Sequence, residues 1–596
     1  MIDTIGGTVR KSKLDTLTSI RFIAAALIVI GHAHNTFGSA GIATTFALGQ
    51  GVSIFFVLSG FILTYNYSDR LSSRKEIFEF FLARFARLWP LHIVAILLLI
   101  LLVPINSAGY LPNGHKGIAI LANIFLVQSW SPIKALSLSL NGVAWSISVE
   151  LFFYLWLPVL LFKWRKTWVI KILISAVTVI TCIIIANHFN LNPDDSFSGI
   201  GLFGFIYANP ITRIFEFIIG IITCYLYRNL FHFAKGLKTY EATFIEVGIL
   251  LFSIASMWIS PILSNAQPVY NLIGSAGQRW ILGSGSCFIF AILILVLSFQ
   301  KGYVSKLFSN KYFVLLGEIS FALYLTHTIL LKFYESVIIP FIDFPLWSMY
   351  IAYWVTAILI SYLLFIVVEK PCRKWIINIP KNISAYKENR NLKSHNLLEG
   401  NLDQTKEISF KRYITNKKVW ISLVCLCIII LSVRFGIGNL AFYISSSEAN
   451  KKHSITVDTI NTEQKEFLFD KKFMLSSVTM DIQSNGTYKL EMLWETLEDV
   501  KLKYSIGVHI LDNSNNIIYN TQIIQNINMK YVKSRTMWAN NVRLPKDIIE
   551  KANNIGIAVY ESPDSMEYFL PVISGESDWD GHRLLISKES IQQKIK

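Results

Sequence analysis

Apolar runs close to the length that spans a ~30 Å hydrocarbon core recur through residues 17–368 of this 596-residue chain, and one more lies near 419–436. A segment inside lipid has to satisfy its backbone polar groups internally, which these runs do as helices. The membrane is therefore crossed many times, and no soluble single-core fold accommodates the sequence. The composition agrees: 53% of residues are hydrophobic and only 16% are charged.

A net charge of +16 suggests an acidic partner such as nucleic acid until its location is counted. Residues 437–596 carry 18 Lys and Arg against 20 Asp and Glu, whereas residues 1–436 carry 37 against 19. The whole excess belongs to the membrane part, so it reports topology and points away from nucleic acid. All six cysteines lie in or beside apolar runs, so no disulfide framework is implied. The N-terminus leads from Arg10, Lys11 and Lys13 into an apolar stretch with Arg21 and His32 and no small-residue cleavage site, which predicts a retained first helix.

Spans are expected at 17–36, 50–67, 89–105, 143–163, 167–187, 211–228, 243–262, 279–299, 312–335, 347–368 and 419–436, ten plus one. With the N-terminus inside, the cytoplasmic loops 70–87, 163–166, 228–238, 301–311 and 370–418 are each basic. The opposite segments 106–141, 188–210 and 263–278 are rich in Gly, Pro, Asn and Ser and nearly free of Lys and Arg. The apolar stretch 117–127 is too short to span, and reads as interfacial, re-entrant or a flap. Residues 1–375 thus form a ten-helix membrane domain, 376–418 a polar cytoplasmic linker, 419–436 an eleventh helix and 444–596 an extracytoplasmic domain. In that last domain, alternating stretches at 473–482, 488–494, 502–511, 517–524 and 555–560 predict a small antiparallel β-sandwich, with a short helix at 546–552. The fold class expected is an all-α polytopic bundle carrying a β-sandwich.

Ionisable groups within spans are costly, so each is a functional candidate. Arg21 and His32 are eleven residues apart, a little over three turns, and so share one helix face roughly 16 Å apart along its axis. The plain alternatives are a snorkelling anchor for Arg21 and a packing histidine for His32. Arg84 and Arg87, at i and i+3, present planar donors suited to the phosphates of a nucleotide-bearing donor, or anchor the helix on its basic side. Glu150 lies in Trp145-Ser146-Ile147-Ser148-Val149-Glu150 and can hold an imidazole in one tautomer, or form a structural ion pair. Arg213 with Glu216 is either polar lining or a self-neutralising pair. Tyr324 and His327, in Tyr324-Leu325-Thr326-His327, are further residues for the same cavity, as is Ser146. No Cys/His metal spacing, phosphate-cradling Gly loop or Gly-x-Ser-x-Gly elbow occurs, so no metal is expected.

These elements occur together: Leu14 to Arg21 with His32, Gly51-Val52-Ser53-Ile54-Phe55-Phe56-Val57-Leu58-Ser59-Gly60-Phe61, Arg84 and Arg87, Trp145 to Glu150, and Glu369-Lys370-Pro371. Their order over about residues 14–375 resembles the acyltransferase-3 family of bacterial integral-membrane acyltransferases. The resemblance implies ten helices around a site that takes acyl groups, most often acetyl, from cytoplasmic acetyl-CoA or another acyl-CoA. It implies delivery to cell-surface glycans such as O-antigen, peptidoglycan or exopolysaccharide, polymeric or lipid-linked, from the bacterial inner membrane. By that likeness His32, Arg21 and Glu150 are catalytic residues and Arg84 and Arg87 bind the donor.

The likeness ends in the C-terminal region. Some relatives carry a fused hydrolase-like domain with Gly-Asp-Ser and Asp-x-x-His blocks, and residues 444–596 have neither. The region loosely resembles accessory sandwiches of membrane glycosyltransferases, where Trp494, Trp538 and Trp579 are either glycan contacts or core. Two other classes compete with the acyltransferase reading. A transporter or flippase predicts related halves with broken helices, and no internal repeat is present; a glycan-binding membrane protein leaves the intramembrane motifs without a role.

Overall fold

The structure, a computed structural model, describes residues 3–5, 8–10, 12–37, 45–103, 116–191, 199–339, 345–379, 467–482, 488–498, 504–523, 537–561, 570–578 and 581–592. Among these, ten helical segments are long and apolar enough to cross a membrane, from Asp15–His34 to Trp347–Ile379, one for each of the ten spans expected before residue 370. The linker to residue 418 and the eleventh span at 419–436 lie outside the described residues, apart from 376–379, which continue the tenth segment as helix.

The chain divides into two compact units. The first is the helical bundle: α1 (Asp15–Phe37), α2 (Gly51–Tyr67), α3 (Arg74–Leu102), a short α4 (Lys116–Ile124), α5 (Trp145–Leu161), α6 (Trp164–His188), α7 (Pro210–Gly236), α8 (Thr239–Asn265), α9 (Gln267–Ser284), α10 (Cys287–Ser298), α11 (Lys311–Phe333) and α12 (Leu346–Leu364). The third helix begins at Arg74, fifteen residues before the expected span, and runs through Pro90. Arg84 and Arg87 are thereby held inside a helix instead of in a loop.

Burial separates core helices from peripheral ones. In α2 and α11, 72% of the most apolar window is buried; in α6 and α8 the figures are 17% and 22%. Ile170, Leu173, Ile174, Val177, Ile180 and Ile184 of α6 are exposed, as expected of side chains that face lipid. Close backbone approaches set the core. A Cβ on Gly60 of α2 would meet the Phe217 carbonyl of α7, and one on Gly220 would meet the Val57 carbonyl, so the two helices cross where neither has a side chain. Gly317 of α11 likewise abuts the Thr18 carbonyl of α1.

The stretch 117–127 forms α4, a helix of nine residues with an exposed apolar side of Ile118, Ile120, Leu121 and Ile124. Its C-terminal end is tied to α3: Trp89 Nε1 donates to the Ile124 carbonyl at 2.9 Å, and His92 Nε2 to the Asn123 carbonyl at 2.9 Å.

The second unit holds the sandwich. Its strands are β1 (Phe467–Phe469), β2 (Phe473–Ile482), β3 (Tyr488–Thr496), β4 (Tyr504–Leu511), β5 (Ile517–Ile523), β6 (Met537–Leu544), β7 (Asn554–Glu561), β8 (Ser577–Asp578) and β9 (Arg583–Ser587). One sheet has the order β1-β2-β3-β6 and the other β8-β9-β7-β4-β5, all antiparallel. Alternation places Phe473, Leu475, Leu490, Met492 and Trp494 of the first sheet against Ile506, Val508, Ile510, Ile557 and Leu584 of the second. Trp494 is fully buried and packs on Phe469, so it belongs to the core and not to a glycan platform. The helix foreseen at 546–552 spans Lys546–Lys551. Strands β1, β6, β8 and β9 were not foreseen: β1 and β8 are only three and two residues long, Met-Trp-Ala-Asn-Asn-Val-Arg-Leu alternates poorly, and Arg-Leu-Leu-Ile-Ser carries three apolar residues in a row.

Candidate active site

Five helices contribute polar side chains to one cavity in the bundle. Arg21 comes from α1, Ser59 from α2, Arg84 and Arg87 from α3, Ser146, Glu150 and Tyr154 from α5, and Tyr324 from α11; Phe55, Phe56 and Phe321 supply apolar wall. About 720 Å³ of empty space lies among these side chains, part of it open to solvent.

One end is cationic. Arg84 is buried, donates to the Tyr67 hydroxyl at 3.3 Å, and lies over the rings of Tyr67 and Tyr154 at 5.5 and 5.8 Å. Arg84 and Arg87 share a face of α3 because they are three residues apart, and Arg21 joins them from α1. Among the described residues none of these three guanidinium groups forms an ion pair with a carboxylate. Glu150 and Glu369 lie within Coulombic reach of Arg21 and Arg87 without pairing to them. A buried or half-buried cation without an acid partner is costly to keep unless an anion completes it.

The middle is a carboxylate held by hydroxyls. Glu150 accepts from Ser59 Oγ at 3.3 Å and forms a short hydrogen bond with Tyr154, one turn along α5. Expected from the sequence to hold an imidazole, Glu150 instead has these two hydroxyls as its partners. Glu150 lines the same cavity as Arg21 and lies within Coulombic reach of it, whereas His32 is roughly 16 Å farther along α1.

From Glu150 the polar side chains continue in helical steps. Ser146, one turn back along α5, lies 2.7 Å from the Tyr324 hydroxyl, which also donates to the Val143 carbonyl at 3.1 Å. His327, three residues beyond Tyr324 on α11, meets His32: Nε2 of His327 is 2.8 Å from Nδ1 of His32, with ring planes 6° apart. His32 is exposed, whereas His327 is fully buried. The pair is held from behind. His327 Nδ1 lies 2.7 Å from the Tyr324 carbonyl, Tyr353 donates to the His327 carbonyl at 3.3 Å, and Asn141 Nδ2 donates to the Leu325 carbonyl at 2.8 Å.

Arg213 takes no part in the cavity. It is 1% exposed, pairs with Glu216 at 3.2 Å, donates to the Tyr207 and Gly283 carbonyls and to Ser284, and packs 4.6 Å above the Tyr207 ring. It is a brace between α7 and α9. Conversely Ser59, Tyr67 and Tyr154 line or support the site without having been singled out. Tyr154 carried a signal in its i+4 spacing from Glu150, and Ser59 in its place within the Gly51–Phe61 stretch. No cluster of His, Cys, Asp or Glu arranged to hold a metal occurs among the described residues.

Residues 14–366 match the family described as an acyltransferase domain, the acyltransferase-3 family, over more than half of the chain. The chain belongs to that family. It is thus a multi-pass membrane O-acyltransferase. Acyltransferase-3 relatives include the acyltransferase MdmB of Streptomyces mycarofaciens, 25% identical over 388 residues, covering 61% of this chain and 93% of the relative. A putative O-acetyltransferase of Staphylococcus aureus (strain COL) is 24% identical over 377 residues, 60% of this chain and 57% of the relative. Nodulation protein 10 of Rhizobium leguminosarum bv. viciae is 29% identical over 269 residues, 42% of this chain and 70% of the relative. No solved structure matches the chain.

Proposed function

We propose that this acyltransferase-3 protein moves an acetyl group from cytoplasmic acetyl-CoA to a hydroxyl of an extracytoplasmic polysaccharide such as O-antigen or exopolysaccharide. The observation that carries the reading is the polarity of the site. Three arginines without an acid partner lie at one end and an exposed imidazole, backed by a second one, lies beyond the other. Acetyl-CoA has that polarity, with phosphates at one end of a long flexible arm and a thioester at the other. Its phosphates match planar guanidinium donors, and the pantetheine arm runs past Glu150, whose carboxylate can accept from an amide N–H.

At the far end His32 acts as general base. Its free ring nitrogen takes the proton of a sugar hydroxyl as the oxygen attacks the thioester carbonyl; the C–S bond then breaks and the imidazolium returns the proton to the departing CoA sulfur. Arg21, with Arg84 and Arg87, fixes the donor so that the carbonyl reaches His32. The basic loops favour a cytoplasmic N-terminus, with the arginine end on that side of a bacterial inner membrane. By parity of spans the sandwich then lies outside. The acetyl donor is favoured by the relatives named as putative O-acetyltransferases.

The test is the acyl content, by mass spectrometry, of envelope polysaccharide from cells with wild-type protein, His32→Ala, or no copy. The expected result is one acyl group per repeat lost in both defective strains. Unchanged polysaccharide in all three would remove the proposed acceptor.

A further inference from the structure

Among the described residues His327 is the one side chain hydrogen-bonded to His32, and the geometry of the pair sets where the protons lie. We propose that His327 is a positioning residue that fixes His32 in the Nδ1–H tautomer, leaving Nε2 as the nitrogen that accepts the proton of the acceptor hydroxyl. This rests on the proposed role of His32 as base.

The argument starts at the buried end. His327 Nδ1 is 2.7 Å from the Tyr324 carbonyl oxygen, which can only accept, so Nδ1 carries a proton. A neutral imidazole has one N–H, so His327 Nε2 is a lone pair. That lone pair faces His32 Nδ1 at 2.8 Å, which makes His32 Nδ1 the donor. His32, neutral in turn, has its lone pair on Nε2, on a side chain that is exposed while its partner is 0% exposed. One backbone carbonyl thus dictates the tautomer of a ring on another helix, the service a carboxylate performs for the histidine of a hydrolase triad.

The arrangement also serves turnover. When Nε2 takes the proton, His32 becomes an imidazolium whose Nδ1–H still donates to a neutral acceptor, and such charge-assisted bonds are about twice as strong as neutral ones. No proton leaves the pair through His327; the one taken up at Nε2 is the one returned to the CoA sulfur. The geometry is rigid, because α11 abuts α1 at Gly317 and Thr18, and the Tyr324 ring, 5.7 Å from that of His327, is anchored through its hydroxyl.

The experiment uses full-length protein in nanodiscs, labelled with ¹⁵N-histidine, in wild-type, His327→Gln and His327→Leu forms, with the His32 signals assigned by their loss in His32→Gln. Wild type is expected to show His32 protonated at Nδ1. His327→Gln should keep that tautomer, because its side-chain carbonyl accepts where Nε2 did. His327→Leu should lose it, and acyl transfer should fall by about 10²-fold, the lower end of what general-base catalysis contributes, with KM for acetyl-CoA unchanged. His32 protonated at Nε2 in wild type, a doubly protonated His327, or a tautomer indifferent to His327→Leu would each overturn the inference. If the tautomers behave as stated but polysaccharide acylation equals that of cells lacking the protein, the proposed acceptor fails while the pairing stands.

Discussion

Arg84 and Arg213 both stand in apolar runs of the sequence, each with a charged residue three positions on, but their surroundings assign them different work. Arg213 is enclosed by Glu216, Ser284 and two carbonyls. Arg213→Leu therefore leaves Glu216 buried and unpaired, a loss of about 3–5 kcal/mol, and should appear as a lower unfolding temperature in detergent rather than as a change in KM. Arg84 and Arg87 have no acid partner among the described residues, so their removal should act on the donor. Losing a hydrogen bond to a charged group costs about 1.5–3 kcal/mol, so Arg87→Ala should raise KM for acetyl-CoA roughly 10- to 100-fold and leave kcat largely intact; initial rates at varied donor concentration read this directly. Sequence spacing marked Arg21, His32, Arg84, Arg87 and Glu150 because an ionisable group in lipid stands out on its own. It could not pair His32 with His327, 295 residues apart, because that contact depends on how two helices cross.

At the scale of elements, hydropathy made the ten spans readable, since a bilayer leaves a chain few other solutions. Crossings were not readable, because they depend on which residues have no side chain at one level. The α2–α7 contact at Gly60 and Gly220 is such a place. Gly220→Val would push these helices apart, and α2 supplies Ser59 to Glu150. The variant is expected to lose thermal stability and acyl transfer together, whereas substitution at the exposed Gly248 position, with nothing nearby, should leave both unchanged. Paired melting and activity measurements on the two variants decide it. The short α4 was recognised as too brief to span, but its tie to α3 through Trp89 and His92 rests on side chains from distant turns that no local pattern announces. In the sandwich, the five alternating strands were readable; the very short β1 and β8 were not, nor were the longer β6 and β9. Strands β6 and β9 are held by their neighbours in the sheets more than by their own pattern.

At the scale of the whole molecule, a soluble-type domain shares one chain with a lipid-embedded catalyst, and the two respond to different conditions. His509, on β4, is 6% exposed, and burial, with Arg583 beside it, pushes its pKa down to about 4. Its folded pKa lies below the unfolded value, so between about pH 4 and 6.5 the unfolded sandwich binds the extra proton and stability rises with pH. The sandwich is expected to be fully stable above pH 6.5 and to weaken as pH falls toward 4, by a few kcal/mol on the scale of 1.36 per pKa unit. Pulse proteolysis of the full chain across this range, with His509→Phe flattening the dependence, tests it.

The arginine end has a consequence for regulation. If it grips the phosphates, it grips what acetyl-CoA and spent CoA have in common, and nothing there distinguishes the loaded carrier from the empty one. Free CoA then competes at close to equal affinity, and occupancy follows the ratio of acetylated to free carrier in the cytoplasm rather than the amount of either. Decoration of the cell surface would become a readout of the cell's carbon supply, slowing when acetyl groups are scarce even while total coenzyme stays constant.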